Sequence, residues 1–215
     1  MKIDFVSDVV CPWCAIGLQS LQQALSRVPE LAVELHFQPF ELNPQMGPQG
    51  QDIEEHLHEK YGSSPEQLLA SREAIRQRGA DLGFRFDMAS RARIYNTFDA
   101  HRLLHWAGLQ SAAQQLALKQ RLLADYFTEG RNPSDREVLL EAAVAAGLDR
   151  AGAAKVLDSD AHAQDIRAAQ DFYRSHGING VPAVIINERH LIQGGQPPEV
   201  FEQALRKLMN APDAA

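Results

Sequence analysis

The sequence predicts an α/β fold in which the two ends of the chain build one sheet around a large, all-helical insertion. Three observations predict it. Residues 1–44 read as strand, helix, strand; residues 45–176 show helix-start signals and no convincing strand; residues 177–215 read as a β-hairpin followed by an amphipathic helix. These spans, 1–44, 45–176 and 177–215, are the expected domains, the outer two completing one sheet.

The first strand is "KIDFV", residues 2–6, and the second "AVELHF", residues 32–37, where Val33, Leu35 and Phe37 share a face. Between them "PWCAIGLQSLQQALSRV" places Ile16, Leu18, Leu21 and Leu25 near helical spacing, and Pro12 is tolerated in a first turn, where its missing N–H is no loss. "NPQMGPQGQ", residues 43–51, is a turn-rich linker. Ser64 to Gln67 and Ser134 to Glu137 both fit the capping box, in which a hydroxyl and a carboxylate or amide side chain satisfy free N–H groups. Leu116, Leu123 and Phe127 fall on one helical face, as do Ala100, Leu103, Leu104 and Ala107. "VPAVIIN" and "RHLIQGG" form the hairpin, and "QPPEVFEQALRKLM" a last helix with Val200, Phe201, Leu205 and Leu208 apolar.

A compact chain of 215 residues buries about 70% of its unfolded surface, so it needs no disulfide for stability. The net charge of -7, without a Lys/Arg run, argues against nucleic-acid binding. No run of about 18 apolar residues offers a membrane span. Asp4 and Asp8 interrupt the stretch where an export signal needs an apolar core, so a cytoplasmic protein with reduced thiols is expected.

Against that background the 2 cysteines are informative: both lie in "CPWC", residues 11–14. A bridge between them would close too small a loop to serve as a staple. Zinc would need a second ligand pair, and neither His56 with His58 nor His101 with His105 has the short spacing of knuckles and fingers. No metal is expected, and redox chemistry leads. The thiolate is the reactive form, and a helix N-terminus stabilises it. Cys11 is therefore the expected nucleophile and Cys14, three residues on, the resolving thiol. Trp13 adds an apolar face without positive charge and Asp8 adds a negative one, so the Cys11 pKa is expected to fall only moderately. Pro182, in Gly180-Val181-Pro182, reads in isolation as the first residue of a strand.

Strand, Cys-Pro-Trp-Cys at a helix start, and a distant Gly-Val-Pro before a hairpin and a last helix together resemble the thioredoxin superfamily. The long helical insertion points to its DsbA-like branch. "FELNP" at 40–44, "YNTFDAHRL" at 95–103 and "GVPAVIIN" with "GGQPPEVFEQAL" across 180–205 are similar to the FrnE-like group of cytoplasmic oxidoreductases. The resemblance implies a thioredoxin fold with a mixed sheet and a thiol-disulfide oxidoreductase. It further implies that Pro182 is cis, that Val181 presents its backbone to an extended substrate, and that Pro12 and Trp13 form a substrate-contacting rim. No tightly bound cofactor is implied; protein thiol or disulfide clients, or glutathione as redox partner, are, and a homodimer through the helical domain fits. The branch also holds kappa-class glutathione transferases and 2-hydroxychromene-2-carboxylate isomerases, which carry Ser where Cys11 stands. A glutathione-dependent isomerase is therefore the alternative, and a chaperone-like binding module the second. His101 and Asn96 are candidates to approach the cleft, and Glu41 to accept a proton from Cys14, with packing, capping or surface roles as their plainer readings.

Overall fold

The computed structural model describes residues 1–47 and 49–210. Pro48, in the turn-rich linker, and residues 211–215, in the last segment, lie outside the described residues. The amino-terminal part is β1 (Lys2–Ser7), α1 (Pro12–Ser26) and β2 (Glu34–Pro39). Two-residue strands β3 (Gln51–Asp52) and β4 (Arg93–Ile94) bracket α2 (Ile53–Tyr61) and α3 (Pro65–Asp81). Five helices follow: α4 (Phe98–Gln110), α5 (Ala112–Phe127), α6 (Arg136–Ala145), α7 (Arg150–Leu157) and α8 (Ala163–Ser175). The chain closes with β5 (Ala183–Ile186), β6 (His190–Gln193) and α9 (Pro198–Met209).

The main sheet has the order β2-β1-β5-β6. β1 runs parallel to β2 and antiparallel to β5, which runs antiparallel to β6. It is a mixed thioredoxin-type sheet assembled from both ends of the chain. Alternation along β1 splits the core in two. Ile3 and Phe5, opposite Ile186 and Val184, face α1 and α9 residues such as Ile16, Leu21, Phe201 and Leu205. Val6, opposite Ala183, faces Phe40, Tyr173 and Ile178 on the other side.

Three expectations need correction. The insertion is not free of strand, since β3 pairs antiparallel with β4 through two residue pairs; such short strands carry no period-two signal. The second strand is set two residues later than its alternation suggested, because the ladder pairs Lys2 with Glu34 and ends at Ser7 with Pro39. At α6 the cap is Asp135, whose carboxylate accepts from the N–H groups of Glu137 and Val138, while Ser134 Oγ donates to Asn132. The capping box at Ser64 forms as expected.

One buried amide of the insertion bonds directly to the edge of the sheet. Gln115 of α5, 5% exposed, accepts from the Phe37 N–H at 3.0 Å and donates to the carbonyls of Phe37 and Leu104 at 3.3 and 3.2 Å. It acts as a one-residue extension of the sheet beyond the edge strand β2. Gln115→Met keeps the volume, removes three hydrogen bonds and leaves the Phe37 N–H and C=O without a partner. It is expected to lower stability by about 2–4 kcal/mol in chemical denaturation; a loss under about 0.5 kcal/mol would assign the fastening elsewhere.

Candidate active site

Cys11 stands at the N-cap of α1, with extended backbone (φ -93°, ψ 114°) and Pro12 as the first helical residue. No side chain caps this helix, so its free N–H groups are available to the sulfur. Both cysteines are buried, Cys11 at 3% and Cys14 at 0% exposure, and neither is bridged. The Cys11 thiol is held below its ordinary pKa, chiefly by the Cys14 thiol. Burial opposes this, the backbone N–H groups of Cys14 and Trp13 assist, and the Asp8 charge works against it. Cys14 is pushed well above the ordinary value, first by burial and then by its donation to Cys11. The two thiols are thus driven apart, one toward thiolate and one toward thiol.

The other end of the chain closes over the sulfur. The Val181–Pro182 peptide is cis, and the protonated Cys11 thiol donates to the Val181 carbonyl at 3.6 Å. Close approach here depends on Gly17: a Cβ at that position would lie 3.0 Å from Pro182 Cγ. Trp13 is clamped from α3 by Arg78, whose guanidinium lies 5.3 Å from the indole and whose Nη2 donates to the Gly195 carbonyl.

Behind the dithiol sits a buried charged cluster. Asp8, in the turn between β1 and α1, is fully buried and accepts from the Leu42 N–H at 2.8 Å through Oδ2. His101 of α4, 2% exposed, brings Nε2 to 3.4 Å from Asp8 Oδ1, an ion-pair distance whose alignment leaves both atoms without a hydrogen bond. Burial raises the Asp8 pKa, but His101, the Leu42 amide and Lys119 outweigh it and hold the carboxyl below its usual range. Lys119 of α5 is 0% exposed, its Nζ has no hydrogen-bond partner among the described residues, and burial pushes its pKa down against the pull of Cys14, Asp8 and Cys11.

Cys11, Pro12, Trp13 and Val181 line a groove of about 480 Å³ whose far wall is α2 and α3. His101 reaches the site from behind, through Asp8. Glu41 and Asn96 do not reach the site. The Glu41 carboxylate accepts from Gln170 of α8, and Asn96 donates to the Met46 carbonyl. Both line a separate, polar groove with Arg167 and Arg174. Their directions follow from turns after β2 and before α4, which no periodicity specifies. Lys119 escaped the sequence reading, although it was visible there: with Leu122, Leu123 and Tyr126 it occupies one apolar stripe at helical spacing. His105 groups with His162 and Asp165 within 4.8 Å, the arrangement among the described residues able to hold a metal ion, and none of the three lines the Cys11 groove.

This geometry can be set beside known proteins. Residues 2–206 match the DSBA-like thioredoxin domain family. The chain belongs to that family. It is 32% identical to a probable DsbA oxidoreductase from Streptomyces coelicolor, with a TM-score of 0.92 over 100% of this chain and 92% of that one. An uncharacterized Bacillus subtilis protein, YwbO, is 26% identical over 95% of this chain and 96% of its own. The fold is shared with the cytosolic disulfide reductase DsbM from Pseudomonas aeruginosa solved with GSH, at 18% identity and a TM-score of 0.66, over 98% of this chain and 100% of that one.

The Cys11 titration provides a check. Reactivity follows the thiolate, so alkylation by iodoacetamide should be half-maximal below the ordinary thiol value of about 8.5 and fall as pH drops through that midpoint. Asp8→Asn removes a charge that raises the Cys11 pKa, so the midpoint should move to still lower pH. An unmoved or raised midpoint would mean that the carboxylate does not act on the sulfur.

Proposed function

We propose that the protein is a thiol-disulfide oxidoreductase in which Cys11 attacks a substrate disulfide and Cys14 resolves the mixed disulfide. The observation that carries the reading is geometric: Cys11 stands at the uncapped N-terminus of α1 with Cys14 in the first turn and the Val181 carbonyl beside its sulfur, and the directions of the two thiol pKa shifts agree with it. A lowered thiol is the attacking group at neutral pH, and a raised one stays protonated until the first exchange is complete. Membership of the DSBA-like family supports the same chemistry.

The second step requires Cys14 to lose its proton in a site closed to water. Asp8, held below the usual carboxylate range, is a poor base for a thiol held above its own. Lys119, buried behind the dithiol, draws the Cys14 pKa down, so its ammonium stabilises the Cys14 thiolate as it forms. Asp8 offsets the Lys119 charge. Val181 offers its carbonyl beside the sulfur, where an extended substrate segment can align. No helix among the described residues is long and apolar enough to cross a membrane. DsbM, of the same fold, is a cytosolic disulfide reductase, and we extend that setting to this chain.

Two substitutions separate the steps. Cys11→Ser should abolish disulfide exchange, whereas Cys14→Ser should accumulate a mixed disulfide, visible by mass spectrometry as the protein plus one substrate half. Activity that persists without Cys14 would sink the dithiol mechanism and favour the glutathione-dependent isomerase; binding of unfolded chains by the double variant, without exchange in the wild type, would favour the chaperone. Lys119→Met should slow release of the second thiol by about tenfold per pKa unit added to Cys14, with a smaller effect on the first step. Because Asp8 opposes the Cys11 thiolate, the reduced form is only moderately stabilised. The reduction potential is expected well below the value of about -120 mV that marks a strong disulfide donor.

A further inference from the structure

The groove beside Cys11 has a strongly apolar wall. Ile53 and Leu57 from α2, Leu68 and Ile75 from α3, and Met88 supply most of it. Into this wall the fold places Arg91, which precedes β4. It is 7% exposed, and its guanidinium packs against two rings, 5.1 Å from the centroid of Tyr126 and 5.0 Å from that of Phe127. Its Nε has no hydrogen-bond partner among the described residues. Arg72, the other arginine of the lining, is committed to Glu54 at 3.0 Å. The groove thus holds one guanidinium, fixed in place by aromatic packing and permanently charged, with no counter-ion among the described residues.

Such a charge carries a desolvation cost that an arriving anion offsets. A guanidinium offers parallel N–H donors that match the two oxygens of a carboxylate. The attraction has to be local, because the chain as a whole carries a net charge of -7. A space of about 480 Å³ suits a molecule of a few residues, in the size range of small-ligand sites.

We infer that the groove takes a small disulfide bearing a carboxylate, which Arg91 holds while Cys11 attacks its sulfur. This rests on the exchange chemistry proposed above and names its substrate class. In the first step the Cys11 thiolate forms a bond to one substrate sulfur, the substrate S–S bond breaks, and the other half leaves as a thiolate with the bonding pair. In the second, Cys14 loses its proton and attacks Cys11 Sγ; the Cys11–Cys14 bond forms and the second half leaves, taking up that proton. The substrate gains two electrons and the dithiol loses two. Arg91 transfers no proton and is a specificity residue.

The test compares dithiodipropionic acid with its diamide, isosteric disulfides that differ in the carboxylates, as single-turnover oxidants of the reduced full-length protein. Each rate is divided by that of the same disulfide with a small free thiol, and oxidised glutathione serves as a third oxidant. The wild type should prefer the acid over the diamide by about tenfold or more, expressed in half-saturating concentration rather than limiting rate. Arg91→Gln should erase that preference and weaken oxidised glutathione, with the diamide rate within about twofold of wild type; Arg91→Lys should keep part of the preference. A wild type that treats acid and diamide alike overturns the inference, and needs no variant to fold. So does an Arg91→Gln variant that keeps the preference, or that loses both oxidants equally, which marks a structural role. If no disulfide oxidises the wild-type dithiol, the exchange chemistry itself fails, a different result from exchange without charge preference.

Discussion

The structure depends on keeping ionisable groups behind the dithiol where water cannot reach them. Asp8 and Lys119 are both fully buried, and His101 is nearly so. An isolated charge in such a place is strongly destabilising, so each requires the others, together with an amide from Leu42, to remain there. That arrangement sets the spacing of the elements that carry these groups: the β1–α1 turn, the start of α4 and the middle of α5. It also explains how two thiols of equal intrinsic acidity come to differ. The Cys14 thiol acts on Cys11, assisted by backbone N–H groups at the start of α1, and desolvation acts most strongly on Cys14.

Sheet and insertion divide the work. The two ends of the chain supply the sulfur atoms and the Val181 carbonyl beside them, and their relative position is fixed by the β1–β5 ladder, where Phe5 opposes Val184 and Val6 opposes Ala183. The insertion supplies the surroundings: Lys119 and His101 from behind, α2 and α3 as a wall, and Arg91 in the groove. Gln115 joins the two parts by hydrogen bonding to an edge strand.

Where a local rule was sufficient, the sequence was legible. Ser64, with Gln67 three residues on, forms its capping box because the donors and acceptors are all within one turn. Ser134 fails as a cap because Asp135, one residue later, bonds two N–H groups with one carboxylate. Glu41 and Asn96, offered as candidates to approach the cleft, turn away from it for a different reason. Each lies in a turn beside an element, and the direction of its side chain is settled by a distant partner, Gln170 for one and the Met46 carbonyl for the other. Arg91 carried no local signal at all, since stacking on Tyr126 and Phe127 joins residues 35 and 36 positions apart.

By itself, then, the sequence determined the strand and helix order at the two ends, the helical character of the insertion, and the dithiol at a helix entrance. Those follow from period, capping and the free N–H groups of a first turn, which act over a few residues. Only the tertiary structure decided which charges face the sulfur, which way the loop residues turn, and what shape of groove the reactive thiol meets. Those depend on burial, and burial is a property of the packed chain: Lys119 is an ordinary surface residue type until α5 is pressed against the sheet, and there its amine loses water and gains Cys14.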